Sequence, residues 1–276
     1  MDSQEINMDT GIVSAATEKP KKPRAGDWIE LISYPVLGLI FSLVIGVIIL
    51  LMYFLITMLS SNSFSNMPST DLLKGLSTDV IAQGLMLTLL GVTEIAMILP
   101  VFIFGFGFKK FSWELFGLKP LKIKWQWIVE SVLVVIGVNG LEMLIEYLQK
   151  KLGFSLPEFS KSNLDILNPS SRSIWLYLVF ILSIGIIGPI CEEILFRGAI
   201  YGWFRRYYKP WVGTLISSLF FGLLHYETML RMIFAISIGA YMAWMYEREK
   251  NLAAPITFHI LNNSIVVTLM FLFPNL

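Results

Sequence analysis

The stretch IWLYLVFILSIGIIGPICEEILFRGAI, Ile174–Ile200, decides the fold. Its first half is uncharged and long enough to enter a membrane. Into that oily segment come Glu192 and Glu193, side by side, and then Arg197. A charged side chain at mid-membrane costs ~2.5–3.5 kcal/mol on insertion scales, so three of them must be paired or used.

The rest of the chain has the same character. Of its 276 residues 55% are hydrophobic and 15% charged, against about 25% charged in soluble domains. A bilayer-crossing helix needs ~20 mostly apolar residues. Seven stretches reach or approach that length: Ile32–Leu59, Val80–Phe108, Trp127–Leu148, Ser173–Phe204, Trp211–Tyr226, Leu230–Tyr246 and Leu252–Phe273. The fifth and sixth are short. The expected fold is an all-α polytopic transmembrane bundle of about seven spans, with six to eight the range.

Residues Met1–Asp27 are polar and basic and read as a disordered arm; 28–276 form one helical domain. Lysine and arginine concentrate in that arm and after spans two, four and six, which puts the N-terminus in the cytoplasm. The segment FSWELFGLKPLKIKWQW, Phe111–Trp127, mixes aromatics with lysines and suits the inner membrane surface. Net charge is +1, so nothing points to nucleic acid. The single cysteine, Cys191, excludes an internal disulfide and reads as an apolar neighbour of Glu192. Gly213, Ser217, Ser218 and Gly222, with Ser237, Gly239, Ala240 and Ala243, mark close helix packing.

The polar residues inside the spans form a pattern. Glu193 and Arg197 are spaced i, i+4 and can pair on one helix face. Glu192, about 100° around the helix, is left over by that pair. Pro210 ends one helix and opens the next. With the turn between Tyr208 and Lys209, Glu192 and His225 are equidistant from it. Antiparallel neighbours then hold them at one depth, where carboxylate and imidazole can share and activate a water. Phe221, four residues before His225, can orient the ring. His259 and Asn263, again i, i+4, can donate to an oxyanion. Pro189, just before the glutamates, removes a backbone donor and can kink the helix. A deep glutamate in span two, Glu94, has no evident role. Glu130, Glu142, Glu146 and Glu227 lie near span ends and are expected to be solvated.

These motifs resemble a known family. EEILFR (Glu192, Glu193, Arg197), FGLLH (Phe221–His225) and HILNN (His259, Asn263) are similar, in order, to the EExxxR, FxxxH and HxxxN motifs of the CPBP family. That family contains the type II CAAX prenyl proteases and bacteriocin-processing enzymes. The similarity covers about 173–273. It implies an intramembrane endopeptidase acting on membrane-associated or lipidated peptides, in CAAX-type processing, bacteriocin maturation or self-immunity. On this resemblance Glu192 and His225 activate water, His259 and Asn263 hold the oxyanion, and Glu193 and Arg197 keep the geometry. Its partners are membrane lipid and the peptide substrate. The compact length and lack of an endoplasmic-reticulum retrieval signal suit a bacterial cell membrane.

No cofactor is expected. The alternative is zinc held by Glu192, His225 and His259, against which stands the absence of HExxH. Two other functions compete: a non-catalytic immunity or regulatory scaffold, in which these residues only tie helices together, and a proton-coupled transporter. A transporter predicts internal repeats, and the sequence has none.

Overall fold

The computed structural model describes residues 22–60, 80–106, 117, 123–157 and 173–273. Most of the N-terminal arm, most of the 111–127 segment and several lysine-bearing loops lie outside these residues. Seven helical elements occur among them, with no strand. They are α1 (Ala25–Ser60), α2 (Val80–Pro100, prolonged by a π-helical turn Val101–Phe106), α3 (Trp125–Leu152), α4 (Ile174–Tyr207), α5 (Pro210–Leu223), α6 (Met229–Glu249) and α7 (Ala253–Leu272). Six are long and apolar enough to cross a membrane; α5 is apolar but shorter. The protein is an integral, multi-pass membrane protein. The arm was expected to run to Asp27, but helix already starts at Ala25.

Lipid, not water, dictates which faces are apolar. Helix α1 exposes Leu39, Leu43, Leu50 and Leu51, as a lipid-facing helix must, since only intrahelical hydrogen bonds satisfy its backbone there. Its inner face is narrow and close-packed: a Cβ on Gly38 would collide with the Met97 carbonyl of α2. At one end Trp28 stacks on Trp203, whose Nε1 donates to the Asp27 carbonyl at 2.9 Å.

Helix α4 is the centre. Every residue of Ile194–Tyr201 is buried, and α1, α2, α5, α6 and α7 all pack on it. Small residues let α5 and α6 close against it. A Cβ on Gly213 would press on Tyr201, and one on Gly239 would press on Ser218 and Arg197. Ser237, expected in this packing set, is exposed and bonds to its own helix at the Ile233 carbonyl.

At one end of the bundle, charges interlock. Arg248 of α6 donates twice to Glu130 of α3, at 2.9 and 2.8 Å. Lys124 pairs with Glu249 at 2.6 Å, and Arg205 with Glu247 at 3.0 Å. Glu130 is therefore a tie between helices rather than a free solvated end group.

Candidate active site

Helix α4 is not a plain α-helix. It runs α-helical over Ile174–Phe180, π-helical over Ile181–Ile187, α-helical over Gly188–Glu193 and π-helical over Ile194–Tyr201. The first widening follows from Pro189. Proline has no N–H, so the Gly185 carbonyl, four residues earlier, loses its usual donor. The Gly188 N–H reaches back to Ser183 instead, which frees the Ile184 carbonyl as well. Helix α7 fills both: Asn263 Nδ2 donates to Ile184 O at 3.2 Å, and Ser264 Oγ to Gly185 O at 3.4 Å. Thus the proline that looked like a kink builds the seat for the third motif.

One turn on, Arg197 Nη1 donates to Glu193 Oε1 at 2.8 Å. Both side chains are fully buried. Arg197 Nη2 donates to the Gly239 carbonyl of α6 at 2.9 Å, and the guanidinium lies 4.8 Å from the Phe221 ring centroid. Glu193 Oε1 also accepts from His259 Nδ1 at 2.9 Å. His259 Nε2 stands 3.7 Å from Glu192 Oε2, near but beyond hydrogen-bond length. The pair expected within one helix is therefore a chain from α6 through α4 to α7.

His225 lies just past the end of α5, in the turn that follows. Its backbone N–H bonds to Gly222 O rather than Phe221 O. The vacated Phe221 carbonyl, one of the orphans at any helix end, accepts from His225 Nδ1 at 2.8 Å. A carbonyl only accepts, so the proton sits on Nδ1 and the lone pair on Nε2. Phe221 also supports the ring directly, with centroids 4.6 Å apart from His225 and 5.6 Å from His259.

Glu192, Phe221, His225, His259 and Asn263 line a single cavity of about 370 Å³. Glu193 and Arg197 are sealed behind it. Asn262 joins the wall and donates to Asn263 Oδ1 at 3.2 Å. Glu142, Glu227 and Arg231 also line it; the sequence reading left the two glutamates in solvent. Cys191 is buried, as its apolar setting suggests. Among the described residues, no three His, Cys, Asp or Glu side chains gather closely enough to hold a metal.

With this geometry in view, relationship to known proteins is informative. Residues 174–265 match the family described as Type II CAAX prenyl endopeptidase Rce1-like. That segment contains all three motifs and every residue of the cavity's catalytic-looking set, so the resemblance read from the motifs is shown for it. Three bacterial proteins are similar over part of their length. "Putative membrane peptidase YdiL" of Bacillus subtilis (strain 168) is 29% identical over 141 residues, 51% of this chain and 54% of that protein. "Membrane-embedded CAAX protease MroQ" of Staphylococcus aureus (strain USA300) is 33% identical over 102 residues, 35% of this chain and 41% of that protein. "Uncharacterized 24.3 kDa protein" of Escherichia coli is 32% identical over 95 residues, 33% and 44% respectively. The matches span about half the length of these relatives, or less. No solved structure matches.

Proposed function

We propose that this protein is an intramembrane endopeptidase of a bacterial cell membrane, hydrolysing peptide bonds of membrane-associated or lipidated peptides. The observation that carries the reading is the convergence of Glu192, His225, His259 and Asn263 on one cavity. Each histidine is fixed through Nδ1, by Phe221 O and by Glu193.

The chemistry runs as follows. Water between Glu192 and His225 loses a proton to Glu192 and attacks the scissile carbonyl. The carbonyl becomes a tetrahedral oxyanion. Asn263 Nδ2 keeps one N–H for it beyond the bond to Ile184. His259 is held by Glu193 through Nδ1, and its Nε2 is the second group turned to the oxyanion. Glu192 then returns the proton to the leaving amine, and the C–N bond breaks. Glu193 and Arg197 orient His259 without touching substrate. No metal is required in this scheme.

The test uses purified full-length protein, wild type and Glu192→Gln, on apolar peptides with and without a farnesylated C-terminal cysteine, each with and without a chelator. Cleavage by wild type, lost in the variant and indifferent to chelation, is expected. Cleavage that survives Glu192→Gln overturns the proposal and leaves the scaffold reading. Loss on chelation moves the site to zinc.

A further inference from the structure

The run HILNN carries two adjacent asparagines, and the scheme above uses only the second. Asn262 is half-buried in α7, on the wall of the cavity that Glu192, His225 and His259 line. A polar side chain inside a span is costly to keep there unless it is used. Among the described residues its amide makes one hydrogen bond, from Nδ2 to Asn263 Oδ1 at 3.2 Å. Its own Oδ1 is sealed from solvent and has no partner among them.

That bond is not a by-product of helix geometry. Side chains at i, i+1 point about 100° apart on an α-helix and do not face each other. Its direction is fixed by what lies beyond it. Asn263 donates to the Ile184 carbonyl. A carbonyl only accepts, so the atom there is nitrogen and the atom at the other end of that amide is Oδ1. Oδ1 in turn only accepts, so Asn262 must offer it Nδ2. Donors therefore run one way, from Asn262 through Asn263 to the opened turn of α4. The unpartnered Oδ1 of Asn262 follows from that direction.

Asn263 needs such a hold. The last torsion of an asparagine side chain is broad and roughly two-fold, so the amide has little resistance of its own to turning over. Turned over, it presents oxygen rather than N–H to an oxyanion. The bond to Ile184, at 3.2 Å, is at the long end for N–H···O and grips one side of the amide only. Asn262 grips the other side. Donation into Oδ1 also polarises the amide and strengthens its remaining N–H. We infer that Asn262 is a positioning residue for Asn263, holding that carboxamide with its free N–H toward the cavity. The inference rests on the peptidase reading above, in which Asn263 serves the oxyanion.

The test compares full-length wild type, Asn262→Leu, Asn263→Ala and the double variant in nanodiscs. Leucine keeps the size of Asn262 and removes the donor; Asn262→Ala replaces it if leucine shifts the thermal transition. On a cleaved peptide, Asn262→Leu is expected to lower kcat about tenfold, the worth of one hydrogen bond, with KM unchanged. The second readout is binding of a peptidyl trifluoromethyl ketone, whose hydrate mimics the tetrahedral oxyanion. Asn262→Leu should weaken that binding about tenfold and Asn263→Ala about 10²–10³-fold. The double variant should bind no worse than Asn263→Ala alone, because Asn262 acts only through Asn263.

Full kcat and undiminished ketone binding in Asn262→Leu overturn the inference. So does an equal loss for substrate and ketone, which a general packing defect gives. So do losses that add in the double variant. A wild type that cleaves no peptide, and binds the ketone no more tightly than the peptide, removes the peptidase reading and this inference with it. That failure shows in wild type, whereas failure of the inference alone shows only in the variants.

Discussion

Glu192 and Glu193 are adjacent in the chain and opposite in circumstance. Glu193 Oε1 accepts from Arg197 and from His259, and Arg197 in turn donates to the Gly239 carbonyl. Glu192 faces the cavity and keeps 18% of its side chain exposed. Their substitutions should differ accordingly. Glu192→Gln is expected to fold normally and to lose about 10²–10⁴-fold in turnover, read by peptide cleavage beside an unchanged thermal transition. Arg197→Met strands a buried carboxylate and is expected to cost ~3–5 kcal/mol of stability, read by thermal unfolding in detergent. Glu193→Gln together with Arg197→Met should recover part of that loss, because the uncompensated charge is gone. An Arg197→Met protein as stable as wild type contradicts a structural role for the pair. At this scale the sequence was informative: spacing alone divided the two glutamates, since i, i+4 reach is a property of any helix. It could not show His259 joining Glu193, because that contact spans 66 residues. Nor could it account for Glu94, which stands against Gly188 of another helix.

At the scale of the element, α4 and α5 carry the argument. The first π-helical turn in α4 exists because Pro189 withholds a donor, and the freed carbonyls receive Asn263 and Ser264. Pro189→Ala restores the donor and lets α4 rewind. It is expected to leave stability equal or higher, since proline costs about 3 kcal/mol more than alanine in a helix interior. It should lower kcat by about tenfold through loss of the Asn263 seat, the equivalent of one hydrogen bond. Full activity in that variant contradicts the seat. Gly239→Val should be destabilising by ~1–3 kcal/mol, through overpacking against Ser218 and Arg197, and thermal unfolding measures it. An irregularity in the helix was legible from Gly188–Pro189; its π-helical form and its use by α7 were not, since they depend on which helix arrives alongside. The turn after Tyr207 was placed correctly from Pro210, yet His225 proved to lie past the helix end, where its side chain replaces a backbone donor.

For the whole molecule, exposed and buried charges should respond differently. The ties at the end of the bundle join Arg248 to Glu130 and Lys124 to Glu249, with side chains 13–56% exposed. Arg248→Gln is expected to cost no more than about 1 kcal/mol, and less in high salt, while leaving cleavage intact. The all-α membrane fold was legible from composition and run length. The orientation of the N-terminus rests on the positive-inside pattern, and reporter fusions at the two ends would read it.

Helix α5 has 14 residues, or about 21 Å at 1.5 Å per residue, against a hydrocarbon core of about 30 Å. It cannot reach both headgroup layers. Where such a helix faces lipid, the mismatch is met by a thinner annulus or by headgroups and water dipping toward the turn that bears His225. A local dimple in the membrane is the expected result, and the protein's output should then depend on the solvent that surrounds it. Reconstituted in a series of lengthening acyl chains, cleavage should fall as the bilayer thickens, with no change in sequence at all.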